Sequence, residues 1–80
     1  MHDHIKINPQ VSLAGASLAL QGVVVHHGRN GHGHYTTLVH LPNADQSRWS
    51  WWRCDGEHRQ RVTEAAVLGS QAYLLLYRRT

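Results

Sequence analysis

The sequence predicts an α+β fold: a mainly antiparallel β-sheet with one short helix. Three features predict it. Runs of β-branched and aromatic residues of strand length recur along the chain, with turn-forming residues between them. One window only, residues 63–68 (TEAAVL), reads as a helix. The last apolar run, residues 72–77 (AYLLLY), has strand length and falls far short of the roughly 20 residues a membrane span needs.

Taken in order, residues 5–11 (IKINPQV) alternate weakly and contain Pro9, which reads as an edge strand or an extended lead-in. Residues 14–17 (AGAS) are small and loop-like. Residues 18–25 (LALQGVVV) begin with alternation and end in a β-branched run, the pattern of a buried strand. Residues 26–33 (HHGRNGHG) hold three glycines and have no hydrophobic period, so a flexible loop is expected there. Residues 35–41 (YTTLVHL) form a second strand and residues 42–47 (PNADQS) a turn. Residues 49–54 (WSWWRC) form a third strand, and a charged stretch, EHRQR, follows. Thr63 is placed to cap the helix and Gly69 to stop it. The uninterrupted run of residues 72–77 is the pattern of a strand buried on both faces.

The chain has 80 residues, which allows one small domain; a chain this short buries only about 60% of its unfolded surface. A single cysteine, Cys54, excludes an intramolecular disulfide and fits a reducing compartment. The N-terminal MHDHIKINPQ lacks the apolar core of a secretory signal. A soluble intracellular protein, cytoplasmic or nuclear, is the expectation. The net charge of +3 is local, at Arg59 with Arg61 and at Arg78 with Arg79, and fits a solvated basic face better than a nucleic-acid surface. Eight histidines are the unusual feature of the composition.

One histidine stands where chemistry is favoured, since His34 lies between the glycine segment and a strand. Imidazole titrates near neutrality and suits general acid–base work, but it needs a partner to orient the ring. A turn centred between Ala44 and Asp45 sets Asp55 directly opposite His34. Opposed residues have Cβ atoms about 4.5–5.5 Å apart, within reach of a carboxylate–imidazole bond. A plainer reading stands beside this one: a histidine after glycine is commonly a loop residue, and an aspartate at a strand end a turn former.

Four segments together resemble the C-terminal boxes of the ubiquitin-specific proteases. In that family, Tyr-x-Leu-x-Gly-Val-Val-x-His-x-Gly leads through a glycine-rich loop to Gly-His-Tyr. A Trp-x-x-aromatic-Asp/Asn-Asp box follows, and the domain ends in Ala-Tyr-x-Leu-x-Tyr. Here residues 18–28 read LALQGVVVHHG, residues 33–35 GHY, residues 51–56 WWRCDG and residues 72–77 AYLLLY. The resemblance implies the C-terminal portion of a papain-like cysteine protease fold, with residues 1–17 an extended lead-in and residues 18–80 a partial protease domain. It implies that His34 is the general base and Asp55 its orienting group. Gly28, Gly33, Tyr35 and Trp51 would belong to the cleft for the ubiquitin tail and the sheet beneath it. The implied reaction is hydrolysis of a peptide or isopeptide bond after ubiquitin's terminal glycine.

The partners implied are ubiquitin or a ubiquitinated protein, and an N-terminal protease half that carries the cysteine nucleophile. No cofactor and no membrane are implied. Cys54 does not fit the nucleophile's place: it adjoins Asp55 on one strand, so the two side chains face opposite ways. Core packing is the expected role of Cys54. Gly56 stands where the family often has a second acid, and Leu18 where it has tyrosine. The 80 residues alone are therefore expected to be inactive. Two alternatives remain open: a catalytically dead ubiquitin-binding remnant, and a metal-binding protein using His2-x-His4, His26-His27 and His32-x-His34. The apolar C-terminal run, with little chain to cover it, also predicts exposed apolar surface or self-association.

Overall fold

The computed structural model describes residues 6–29 and 32–80. Its elements run β1 (Gln10–Leu13), β2 (Ala16–Arg29), β3 (His32–Pro42), β4 (Trp49–Asp55), β5 (His58–Val62), α1 (Glu64–Leu68) and β6 (Ala72–Arg79). All the strands join one antiparallel sheet, in the order β1-β2-β3-β4-β5 with β6 also on β2. β6 shares paired residues of β2 both with β1 (at Leu18 and Ala19) and with β3 (at Gly22–Val25), so it takes the opposite edge from both. β2 is thus the central strand, as its β-branched run predicts.

Each connection follows from local chemistry. Leu13 pairs with Ala16 across Ala14 and Gly15, which both have positive φ, the backbone that matches strand twist in a tight hairpin. The expected loop over residues 14–17 is therefore shorter, and Ser17 lies in β2. The β3–β4 turn spans residues 43–48, closed by the Asn43 amide donating to the Arg48 carbonyl at 2.7 Å. Ser50 Oγ donates to Asn43 Oδ1 at 2.8 Å and fixes the turn from inside. Thr63 Oγ1 accepts from the Ala66 amide at 3.2 Å and caps α1, while the Gly69 amide closes its other end on the Ala65 carbonyl at 3.0 Å.

Two further expectations are corrected, and one unassigned stretch proves to be a strand. Residues 26–29 and 32–33, expected in a loop, lie in strands. β2 and β3 stay paired through His26↔Tyr35, His27↔His34, Gly28↔Gly33 and Arg29↔His32, and only residues 30 and 31 fall outside the description. Backbone ladder bonds need no apolar side chains, so a glycine-rich segment continues the strands. The charged stretch after Gly56, to which the sequence assigned no element, forms most of strand β5, an exposed edge that pairs with β4 and with no other strand among the described residues. β6 is not buried on both faces: Leu74 and Leu76 are half exposed and Tyr73 more so.

The core lies on one face of the sheet. Leu20, Val23, Val25, Leu38 and Trp51 contribute to it from the sheet, and Val67 of α1 and Ile7 join them from outside it. The N-terminal extension is held there by the Leu20 amide donating to the Pro9 carbonyl and by Tyr77 Oη donating to the Asn8 carbonyl at 2.7 Å. By strand alternation and register, Val24, Val39, Trp52, Leu74 and Leu76 share the other face. Cys54 also lies on that second face, opposite Thr37 and Arg59, half-buried and outside the core cluster, so its expected core role is corrected.

Candidate functional site

His34 stands in β3 and Asp55 ends β4, where the strand turns into β5. The expected turn placed them directly opposite. The turn is instead longer and centred between Asp45 and Gln46, so Thr37 pairs with Cys54. The same register, carried one residue on, sets Asp55 against Thr36 and makes His34 its diagonal neighbour. The offset is two residues, an even number, so both side chains keep the same face. The diagonal is within reach of long side chains. His34 Nε2 lies 2.7 Å from Asp55 Oδ1, with 57% of the histidine side chain and 35% of the aspartate side chain exposed. That is the length of a charge-assisted hydrogen bond.

The glycine before His34 has a steric cause. A Cβ on Gly33 would meet the His27 carbonyl oxygen and lie 2.5 Å from His26 Nε2. Only glycine lets β2 and β3 close this tightly beside the pair. Gly28, paired with Gly33, has φ +123°, a conformation that favours glycine. Next to the pair, His27 Nε2 meets the buried Thr36 hydroxyl at 3.1 Å, and the His27 and His34 rings are 6.3 Å apart. Thr36 was not singled out in the sequence, and His27 only as part of the metal alternative. Their one signal for this site is alternation and register, which put both on the face of His34.

The other candidates separate. Tyr35 points away from His34, on the opposite face of β3, where its ring lies 4.6 Å from His26 and 5.7 Å from Tyr73. Trp51 is buried in the core, stacked 4.7 Å from His40, and is not brought to His34. Gly28 and Gly33 lie in the hairpin beside the pair. Among the described residues no group of three His, Cys, Asp or Glu side chains could hold a metal ion. His2 and His4 of the metal alternative, and the His32 side chain, lie outside the description.

An exposed imidazole on a carboxylate can take and return a proton, and other proteins give the arrangement its setting. The family model "Ubiquitin carboxyl-terminal hydrolase" matches residues 5–77. The chain belongs to that family. "Ubiquitin hydrolase B" of Dictyostelium discoideum is 40% identical over 81 residues, covering 91% of this chain and 17% of that protein. The SAGA Ubp8/Sgf11/Sus1/Sgf73 DUB module superposes with a TM-score of 0.85 at 23% identity, over 100% of this chain and 19% of that one. The same module bound to ubiquitin aldehyde matches with a TM-score of 0.71 at 28% identity, over 81% of this chain and 13% of that one. The chain thus spans about a sixth of the length of this family relative. It corresponds to the C-terminal part of a ubiquitin-specific protease catalytic domain, and the mainly antiparallel sheet with one short helix is borne out.

Proposed function

We propose that this chain supplies the general base and its orienting carboxylate to a cysteine-type deubiquitinase that cleaves after ubiquitin's terminal glycine. The 2.7 Å contact between His34 and Asp55, at an open end of the sheet, carries this reading. Asp55 engages Nε2, so Nε2 keeps its hydrogen and Nδ1 is left as the basic nitrogen. Nδ1 takes the proton of a thiol, the thiolate attacks the carbonyl carbon of the terminal glycine, and the C–N bond breaks as the proton passes to the departing amine. Water then hydrolyses the thioester. Asp55 holds the ring in place and stabilises the imidazolium in between.

The thiol comes from outside these 80 residues. Cys54 is next to Asp55 on β4, and alternation turns it to the other face of the sheet. Gly28 and Gly33 let β2 and β3 close beside His34, at the edge along which the ubiquitin tail would lie. Tyr35 and Trp51 act at one remove, by bracing the strand that carries His34 and the sheet beneath it. Ubiquitin is the partner, in keeping with the matched module bound to ubiquitin aldehyde. The free thiol of Cys54 suits a reducing setting, cytoplasm or nucleus.

The test is a chimera in which residues 18–77 replace the matching segment of Ubiquitin hydrolase B. It is expected to cleave a ubiquitin–fluorophore conjugate, and His34→Gln in it to lose at least about 10²-fold. A folded chimera indifferent to His34→Gln overturns the reading. The 80 residues alone are expected to release no fluorophore, and release would overturn the external thiol. Gly56, in place of a second acid, favours one other reading, a remnant that binds ubiquitin without cleaving it. Ubiquitin binding by a folded but inactive chimera would select that reading.

A further inference from the structure

A second cleft lies on the core face, six residues along β3 from His34, about 20 Å at the rise of a strand. Its volume is about 440 Å³, in the range of small-molecule sites. Pro9, Leu20 and Trp51 give it apolar walls, and His40, Arg78 and Glu64 bring polar groups to it. The His40 ring is stacked on Trp51 at 4.7 Å and 19°, and lies 5.2 Å from the Trp49 ring, tilted by 39°. Arg78 lies with its guanidinium 4.5 Å from the Trp49 ring centre.

Two groups here lack negative charge. Arg78 Nε is buried and has no acceptor among the described residues. A buried donor left unpaired is costly and rare. His40 is held below its ordinary pKa, first by burial and then by the Arg78 charge, with Glu64 opposing weakly. One anion between them would accept from Arg78 Nε and let His40 charge and donate as well. Glu64 bears on which anion fits: its carboxylate repels a dianion such as phosphate about twice as strongly as a single charge at the same distance. The apolar walls call for an apolar body behind that charge.

We propose that this cleft binds a monocarboxylate with an apolar body, either a small free acid or the C-terminal residue of a peptide. The site is separate from the His34–Asp55 pair and does not rest on the role proposed for it.

The experiment is an NMR titration of the 80-residue chain that follows the Trp51 indole N–H and the His40 ring. N-acetyl-leucine is expected to shift both saturably and to raise the midpoint of His40's titration. N-acetyl-leucinamide, which lacks the charge, and inorganic phosphate are expected to leave them in place. A peptide ending in a free leucine carboxylate separates the sources: binding at least about 10-fold tighter than N-acetyl-leucine marks a protein terminus, and equal binding a free acid. Arg78→Gln is expected to weaken binding at least about 10-fold, the scale of one charge-assisted hydrogen bond. Glu64→Gln, an exposed change that leaves the fold standing, is expected to tighten it several-fold. Equal shifts from acid and amide, or no shift from the acid, overturn the proposal. So does an affinity that Glu64→Gln leaves unchanged, and this arm decides even if Arg78→Gln unfolds the chain.

Discussion

The His34 imidazole meets Asp55 with 57% of its side chain still open to water. Exposed ion pairs contribute about 0–1 kcal/mol to stability, because water competes for both groups. Asp55→Asn is therefore expected to change the unfolding free energy by less than about 1 kcal/mol. In the chimera it is expected to lower kcat by about 10²–10⁴, since the ring loses the group that fixes its tautomer. Denaturation and steady-state kinetics on the same variant read the two effects separately, and a large loss of stability would mean that the pair serves the fold. His40 has the opposite character. Burial and Arg78 lower its pKa in the folded chain below the 6.5 it has when unfolded. The unfolded chain therefore binds more protons between the two values, and stability falls as the pH drops below about 6.5 through the folded value. Urea unfolding at a series of pH values is expected to show this loss in the parent and a shallower one in His40→Gln.

At the scale of the elements, the β2–β3 hairpin is the most demanding piece. A Cβ at Gly33 would overlap the His27 carbonyl and press on His26 Nε2. Gly33→Ala is expected to cost about 1–3 kcal/mol, the range for overpacking, and to splay the strand end that carries His34. The check is thermal unfolding together with the loss of the NMR contact between His34 and Asp55. This hairpin also shows where sequence reading fails. Strands β2, β3 and β4 were legible because Val23, Val25, Leu38 and Trp51 alternate with residues of the second face. The cap of α1 was legible because Thr63 and Gly69 bracket it. Residues 26–29 and 32–33 were not, because glycine and histidine carry no period while their backbones still pair. β5 was hidden by its charge, since every residue but Val62 is exposed and no apolar face marks it. The Asp55-Gly56 dipeptide, a hairpin signal, was the available clue. His34 with Asp55 was legible despite a wrong turn, because the true register differs by two residues and keeps their common face.

The whole molecule is a slab. Its extents are 39 × 33 × 18 Å and its radius of gyration is 13.6 Å, against roughly 12 Å for a compact chain of this length. One face of the sheet is covered by α1 and the N-terminal extension, and nothing described lies over the other. Leu74 and Leu76 are 51% and 50% exposed, on a strand whose outer edge is unpaired among the described residues. Val24 and Thr37 continue that face inward by register. An apolar face beside an open strand edge has both ingredients of sheet-to-sheet association, burial of side chains and pairing of free backbone groups. The 80-residue chain is therefore expected to sediment above its 9.1 kDa monomer mass, increasingly so with concentration. Leu74→Lys with Leu76→Lys is expected to restore a monomer, because charge on an edge strand blocks both routes. Neither leucine belongs to the buried core cluster, so the double variant is expected to keep its cooperative unfolding. A parent chain that stays at 9.1 kDa throughout the concentration range would mean that the bare face is tolerated in water, with Arg59, Arg61, Arg78 and Arg79 keeping copies apart by charge.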